Sequence, residues 1–474
     1  MRKVAILLFI MLWAVATKSV AQQDNTHERS SRLNEEYLSE PLPSNWSEGI
    51  YFNQTLPVDD EWWRNFNDPV LDSLIAVASS NNYSVLAAME NIKKARAAWR
   101  VAQNKLMPAF DLGIGWQRAK SSGNIASTMY NEAWSSEFST AVSMQWQADV
   151  FGSIYLRSKA QKRLFMATEE EYNAVMVSLI ANVATTYFSL RQSLAEMWVL
   201  RENVASQQEI LNITIARYNS GLASKLDVAQ ARSVYQNTLA QIPAMQAHID
   251  SYRNAMALLL GTFPENLDGW FQEGESLPTY VAPIGVGIPA ELLRRRPDIR
   301  AAEREVEANA ALLGATKRDW FPQLLISGSI GFASGEMKSL FRSRSLNWEI
   351  APTIKWNIFG GNDRVNATRE ARATLDSSIL SFNEKMLTAL QEVESAMSQY
   401  ENSITQIVAL REAVNQSEET LTLSLELYKQ GLATFQNVLD AQRTLLSYEN
   451  YLVQAQGGSL IYLVQLYEAL GGGW

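Results

Sequence analysis

The chain has 474 residues, 41 Lys and Arg against 50 Asp and Glu, and a formal charge of −9. Its length alone suggests two or three domains, and its acidic balance argues against a nucleic-acid partner, because phosphate would repel it. With no Cys, disulfides, thiolate metal sites and cysteine nucleophiles are excluded, and the isolated His27 and His248 point to no metal centre.

Arg2 and Lys3 precede an apolar run over 4–16, and Ser19-Val20-Ala21 puts small residues at the −3 and −1 positions of a cleavage site. This predicts a secretory signal peptide over 1–21 and a mature chain from Gln22, the alternative being an uncleaved anchor. No later stretch holds 18 consecutive apolar residues, so no membrane helix is predicted, and a membrane seat would have to be a β-barrel.

Four strands come next in importance, at about 109–118, 133–150, 322–333 and 346–359. In each, apolar and polar residues alternate: Leu112, Ile114, Trp116; Trp134, Phe138, Val142, Met144, Trp146; Leu324, Ile326, Ile330; and Trp348, Ile350, Ile354, Trp356 fall on even positions. One face is apolar, with Trp116, Trp134, Trp146, Trp348 and Trp356 near strand ends as a lipid-facing girdle, and the other face is polar. That is the pattern of an outer-membrane barrel, although a half-buried antiparallel sheet alternates in the same way.

Between and after the strands lie two stretches free of Pro and Gly, 153–220 and 362–430. Each could span roughly 100 Å as a continuous helix. Apolar residues at 187, 190, 194, 197, 200, 204, 211, 215 and 218, and at 375, 379, 382, 386, 390, 393, 397, 400, 404 and 407, mark narrow coiled-coil seams. Each long helix should reverse at a glycine, Gly221 or Gly431, and return as a second long helix.

The two halves echo each other. "RYNSGLASKLDVAQARS" (217–233) matches "LYKQGLATFQNVLDAQRT" (427–444) at an offset of 210, and Pro108 matches Pro322. A period this long suggests a duplicated domain rather than a solenoid. Four strands per chain cannot close a membrane barrel, for which single chains need about eight, so the membrane reading requires several chains. Around the two turns, Gly221, Leu222, Ala223, Ser224 and Gly431, Leu432, Ala433, Thr434 offer small residues that permit close approach of a partner.

The motifs "IPAELLRRRPDIRAAEREVEANA" (288–310), "GLASKLDVAQAR" (221–232), "GLATFQNVLDAQRT" (431–444), "WQADVFG" (146–152) and "YEALGGGW" (467–474) resemble the TolC family of outer-membrane efflux proteins, close to its NodT-type branch. The resemblance covers the chain from about residue 35 to the end. It implies a mainly α fold with a β-barrel membrane part: a homotrimer whose twelve strands close one barrel, continuous with a long periplasmic α-helical barrel. It implies a signal peptide 1–21, an equatorial segment 22–66, a first repeat 67–261, an equatorial linker 262–290, a second repeat 291–456 and a C-terminal equatorial segment 457–474. The partners implied are outer-membrane lipid, a periplasmic adaptor that meets the two tips, and an inner-membrane resistance–nodulation–division pump, with no cofactor and no catalysis. Many NodT-type members carry a lipidated Cys after the signal peptide; the lack of Cys here leaves the barrel as the only anchor expected.

The resemblance also assigns the aperture. Asp440 and Asn437 would ring the pore, where some members carry an acid at the position of Asn437, and Asp227 with Tyr428 would hydrogen-bond to hold the closed state. The alternative for Asp440 is a solvated surface carboxylate, and for Tyr428 a residue that simply fills the seam. "RRRPD" (294–298) reads as a helix start after Pro297, with Asp298 favoured in the first turn by the helix dipole. Two other functions compete with small-molecule efflux: an exit duct for secreted polypeptides, and a secreted coiled-coil scaffold without transport.

Overall fold

The structure, a computed structural model, describes residues 43–46, 51–120, 134–267, 269–271, 277–280 and 282–473. The expected signal peptide, the start at Gln22, much of the 22–66 segment, parts of the 262–290 linker, residue 133 and Trp474 lie outside the described residues. In chain order the elements are β1 (Phe52–Asn53), α1 (Pro69–Asn81), α2 (Tyr83–Asn104), β2 (Ala109–Lys120), β3 (Trp134–Ala148), α3 (Ser153–Asn219), α4 (Lys225–Leu239) and α5 (Gln241–Leu259). There follow β4 (Ile284–Gly285), α6 (Pro289–Arg295), α7 (Pro297–Arg318), β5 (Gln323–Ser334), β6 (Leu346–Lys355), α8 (Asp363–Gln430) and α9 (Phe435–Ala469). Two compact units result: one gathers the described residues of Met1–Met89, Glu170–Arg300 and Asn383–Trp474, the other those of Glu90–Glu169 and Ala301–Phe382.

In the second unit β2, β3, β5 and β6 form one antiparallel sheet in that order. Below it α3 and α7 approach closely because Ala160, Ala308 and Ala311 place only methyl groups between them. Arg163 Nε lies 3.3 Å from Glu307 Oε2, and the Ser153 hydroxyl and Arg157 both bond Asp319.

In the first unit three distant segments share one core. Trp62 stacks on Tyr467 with ring centroids 5.2 Å apart, and Phe66 meets both Phe188 and Tyr280. The Trp46 indole donates to Gly287 O, and β1 pairs in parallel with β4. Several polar groups of this core are joined: Tyr187 donates to Asp68, which also caps α1, and the Tyr280 and Tyr467 hydroxyls bond each other. The RRRPD run is spent structurally. Pro297 opens α7, while Arg296 grips Asp298, Glu392 Oε2 at 2.6 Å and Ala469 O at 2.9 Å. Burial alone would raise the Asp298 carboxyl, but the Arg296 guanidinium outweighs it and holds that carboxyl below its ordinary value.

The long helices follow their seams. All ten seam positions of α8 are buried or half-buried, from Leu375 to Ile407. In α3 the seam also passes through polar Asn203, Gln207 and Thr214, each buried, and Tyr218 at its end is exposed rather than buried. An 18-residue window of α3 reaches a mean hydropathy of 1.3, and half of it is buried. The apolar residues Leu179, Ile180, Val183 and Phe188 lie in the core, so this apolarity serves packing.

Two expectations are corrected. The return helix of the first hairpin is not one long helix: it breaks at Ala240 into α4 and α5. Pro243 has no N–H and its ring would meet the carbonyl at 239, so it is accommodated only in the first turn of a new helix. The second hairpin returns unbroken as α9, without Pro. The last strand also ends earlier than 359, at Lys355, so Trp356 stands just beyond it.

Gly457, within α9, faces α3 so closely that an added Cβ would sit 2.8 Å from Gln192 Cβ. Overpacking of this kind costs about 1–3 kcal/mol. Gly457→Ala should therefore lower the thermal midpoint of helix loss by circular dichroism, whereas Gly458→Ala, with only Tyr462 nearby, should lower it far less.

Candidate functional site

The sheet is organised for two media. Along the sheet even positions pair with even and odd with odd, so one row reads Leu112–Val142–Ile330–Trp348 and its neighbour on the other face reads Asp111–Ser143–Ser329–Glu349. Four strands agree on one apolar and one polar face, with side chains such as Ile114, Trp348 and Ile350 well exposed on the apolar one. Strands β2 and β6 each have one edge without a partner strand among the described residues. Exposed edges and an exposed apolar face are both unstable in water.

The girdle tryptophans divide by position. Trp116, Trp134 and Trp348 are largely exposed, and Arg118 lies 5.1 Å over the Trp134 ring. Trp146 is half-buried and donates to Leu106 O at 2.9 Å; Trp356 donates to Trp320 O at 3.1 Å. Each of these two indoles thus fastens a strand end to the turn leading out of a helix. An apolar ring with a fixed N–H suits the boundary between lipid and water.

The two helix tips are alike in backbone and different in side chains. Gly221 and Gly431 take φ of +74° and +76°, and Leu222 N–H and Leu432 N–H reach back to Arg217 O and Leu427 O at 2.8 and 2.9 Å. Only glycine adopts that φ without strain. The first tip then closes a reciprocal cap: Asp227 N–H donates to Ser224 Oγ and Ser224 N–H donates to Asp227 Oδ2, both at 3.1 Å. The second tip lacks this box, since Thr434 Oγ1 instead donates to Asn437 Oδ1 at 2.6 Å. Leu222 and Leu432 stand exposed at the two apices.

The tips pack on each other through Ile210, Leu211, Ala231, Tyr428, Phe435, Val438 and Leu439. Tyr428 is 4% exposed, meets Phe435 edge-on, and its hydroxyl has no hydrogen-bond partner. Asp227, half-buried, bonds Ser224 rather than Tyr428. The structure thus brings Tyr428 into the tip core but gives the expected Asp227–Tyr428 pair no hydrogen bond. Asn437 and Asp440 lie on the exposed side of α9, opposite Val438 and Leu439, and Asp440 accepts from Gln436 at 2.9 Å.

Sequence reading missed Arg217. Its Nη1 donates to Lys429 O at 2.5 Å, its Nη2 donates to Leu222 O at 3.4 Å, and its guanidinium lies 4.8 Å over the Tyr428 ring. It therefore ties the end of α3 to the end of α8. The signal was present: Arg217 is a cation in a last helical turn, and the matching position in the second motif is the apolar Leu427.

Farther back along α3, Asn203 Nδ2 donates to Glu449 Oε2 of α9 at 2.6 Å. Burial raises the Glu449 carboxyl above its ordinary value of 4.5; the Asn203 bond pulls it part of the way back, while Glu418 and Glu202 push it up. A raised carboxyl holds its proton longer in the folded chain than in the unfolded one. Stability is then greatest below the ordinary value and declines as pH rises through the raised one. Glu449→Gln should raise the thermal midpoint at pH 7 and flatten its decline above pH 4.5; an unaltered slope would show that other groups set it.

Comparison with known proteins decides the family. The model of the outer membrane efflux protein family matches residues 74–262 and 288–472. The chain belongs to this family. It is 30% identical over 446 residues to the toluene efflux pump outer membrane protein TtgF of Pseudomonas putida, covering 92% of each chain. It is 29% identical over 413 residues to the cation efflux system protein CusC of Escherichia coli, covering 87% of this chain and 88% of the relative. Among solved structures, the outer-membrane channel OprN superposes with a TM-score of 0.87 at 28% identity, over 92% of this chain and 98% of that one. The chain is thus an outer-membrane efflux channel protein, and the proteins of its family are transport conduits.

Proposed function

We propose that three copies of this chain close one barrel and one helical tube, forming a passive duct through the outer membrane. The observation that carries this is the open four-stranded sheet: one apolar face, one polar face, and an unpartnered edge on each side. Three such sheets, edge to edge, give twelve strands, pair every edge, and turn the Asp111–Ser143–Ser329–Glu349 row towards water inside and the Leu112–Val142–Ile330–Trp348 row towards lipid outside. The long hairpins extend into the periplasm, where an adaptor contacts the Gly221–Ser224 and Gly431–Thr434 tips and joins the duct to an energised inner-membrane pump. The relatives' names refer to toluene and cations, which supports small solutes over polypeptides as cargo.

The aperture is formed at the tips. Asp440, repeated in three copies, makes a carboxylate ring that favours cations, with Asn437 contributing no charge one turn earlier. Arg217 is the tie that holds the two hairpins of a chain together. Opening is a shift between two packings of these hairpins, and the adaptor biases it by contacting one packing better than the other. Purified protein in planar bilayers should pass ions without nucleotide or pump, with cation preference that weakens in Asp440→Asn. Folded protein that carries no current in any state would refute the duct.

A further inference from the structure

We propose that the groove between the last turns of α7 and the first turns of α8 binds the phosphate headgroup of an anionic phospholipid. This rests on the duct reading, which puts the lipid surface at the junction of the sheet with its helices.

The groove encloses about 480 Å³. Leu313, Val365 and Trp320 form its apolar side, and Lys317, Arg369 and Arg372 its charged side. Arg372 shares its charge with Asp376 across 3.3 Å, but both side chains are more than half exposed, so that tie is weak. Lys317 and Arg369 have no carboxylate partner among the described residues. The groove therefore offers two uncompensated cations beside apolar surface.

Its place in the fold matches an amphiphile. The Trp320 indole donates to Thr368 Oγ1 at 3.3 Å inside the groove, and its carbonyl accepts from Trp356, the first residue beyond β6. Around that junction Ile354, Ile358 and Phe359 are strongly exposed, Phe359 at 89%. A headgroup in the groove would leave its acyl chains beside these residues and the apolar face of the sheet.

The first half of the chain shows what a closed version looks like. Trp99 stands 214 residues before Leu313, the spacing that separates Pro108 from Pro322, and Phe165 stands 210 before Leu375. Trp99 and Phe165 stack at 5.7 Å, with Lys162 and Arg96 on their rings at 5.6 and 5.3 Å. There the aromatic pair fills the space and occupies the cations. In the second half leucines stand at both ring positions: Leu313 lines the groove, Arg372 stands where Lys162 does, and Lys317 and Arg369 stand at the positions of Gln103 and Lys159. A phosphate diester suits this set, accepting from the Arg369 fork and the Lys317 ammonium together, as basic pockets at membrane surfaces do.

The test is to place the full-length protein in phosphatidylcholine nanodiscs containing a minor share of phosphatidylglycerol, and to count the lipids retained on release by native mass spectrometry. Wild type should retain phosphatidylglycerol selectively. Lys317→Ala/Arg369→Ala, both surface changes, should lose this selectivity by about tenfold or more. Lys159→Ala, at the position matching Arg369 in the filled half, should keep it. Undiminished retention in the double variant would overturn the proposal. Displacement of the lipid by inorganic phosphate would show that a free anion is the ligand, and would overturn it too. If the protein enters no bilayer at all, the duct reading fails first, and wild-type conductance tells that case from the others.

Discussion

Arg217→Ala is expected to raise the single-channel conductance of the protein in planar bilayers about tenfold, while Tyr428→Phe leaves it unchanged. Arg217 contributes a charge-assisted hydrogen bond to Lys429 O and a cation over the Tyr428 ring. At a partly exposed site these are together worth about 1.5–3 kcal/mol, and a shift of 1.4 kcal/mol alters a two-state population about tenfold. The Tyr428 hydroxyl, by contrast, is buried without a partner, so removing it breaks nothing and relieves an unsatisfied polar group. The pair separates two accounts of the closed tip. If Tyr428→Phe opens the channel and Arg217→Ala does not, the closed state is held through the tyrosine hydroxyl, in an arrangement other than the one seen here.

The second large effect concerns the sheet. Val142→Arg is expected to abolish insertion into lipid vesicles, and Ser143→Arg to permit it. The two are adjacent on β3 but belong to opposite rows, Leu112–Val142–Ile330–Trp348 and Asp111–Ser143–Ser329–Glu349. Arginine near the middle of a lipid-facing strand costs about 2–4 kcal/mol, and three copies incur it three times over. On the polar face the same side chain lies in water and should change ion selectivity instead. Flotation of refolded protein with vesicles reads insertion directly, and equal flotation of the two variants would mean that the sheet does not separate lipid from water.

Much of this architecture was legible because it rests on periodicity. The even-numbered apolar residues of four strands and the seams from Leu375 to Ile407 follow from side-chain spacing alone, and the glycine turns from the φ that only glycine accepts. Register was not legible: that β3 and β5 pair with Val142 opposite Ile330, keeping their even-numbered apolar residues on one face, depends on strands nearly two hundred residues apart. The break at Ala240 was written in Pro243, which a helix interior does not tolerate. At the tips, the motif repeat drew attention to what the halves share, Tyr218 with Tyr428 and Gly221 with Gly431. The distinguishing residue is one that they do not share, Arg217 opposite Leu427. Resemblance likewise pointed to Asp227 as a partner of Tyr428, whereas local chemistry offers Asp227 a nearer partner three residues back, the Ser224 cap.

The central claim is that this chain is one third of a closed duct. Native mass spectrometry of detergent-extracted protein tests it most directly. Three copies of the chain, resistant to salt and separating only as the β structure is lost, is the predicted result. A folded monomer, keeping its sheet with the β2 and β6 edges unpaired, would contradict it.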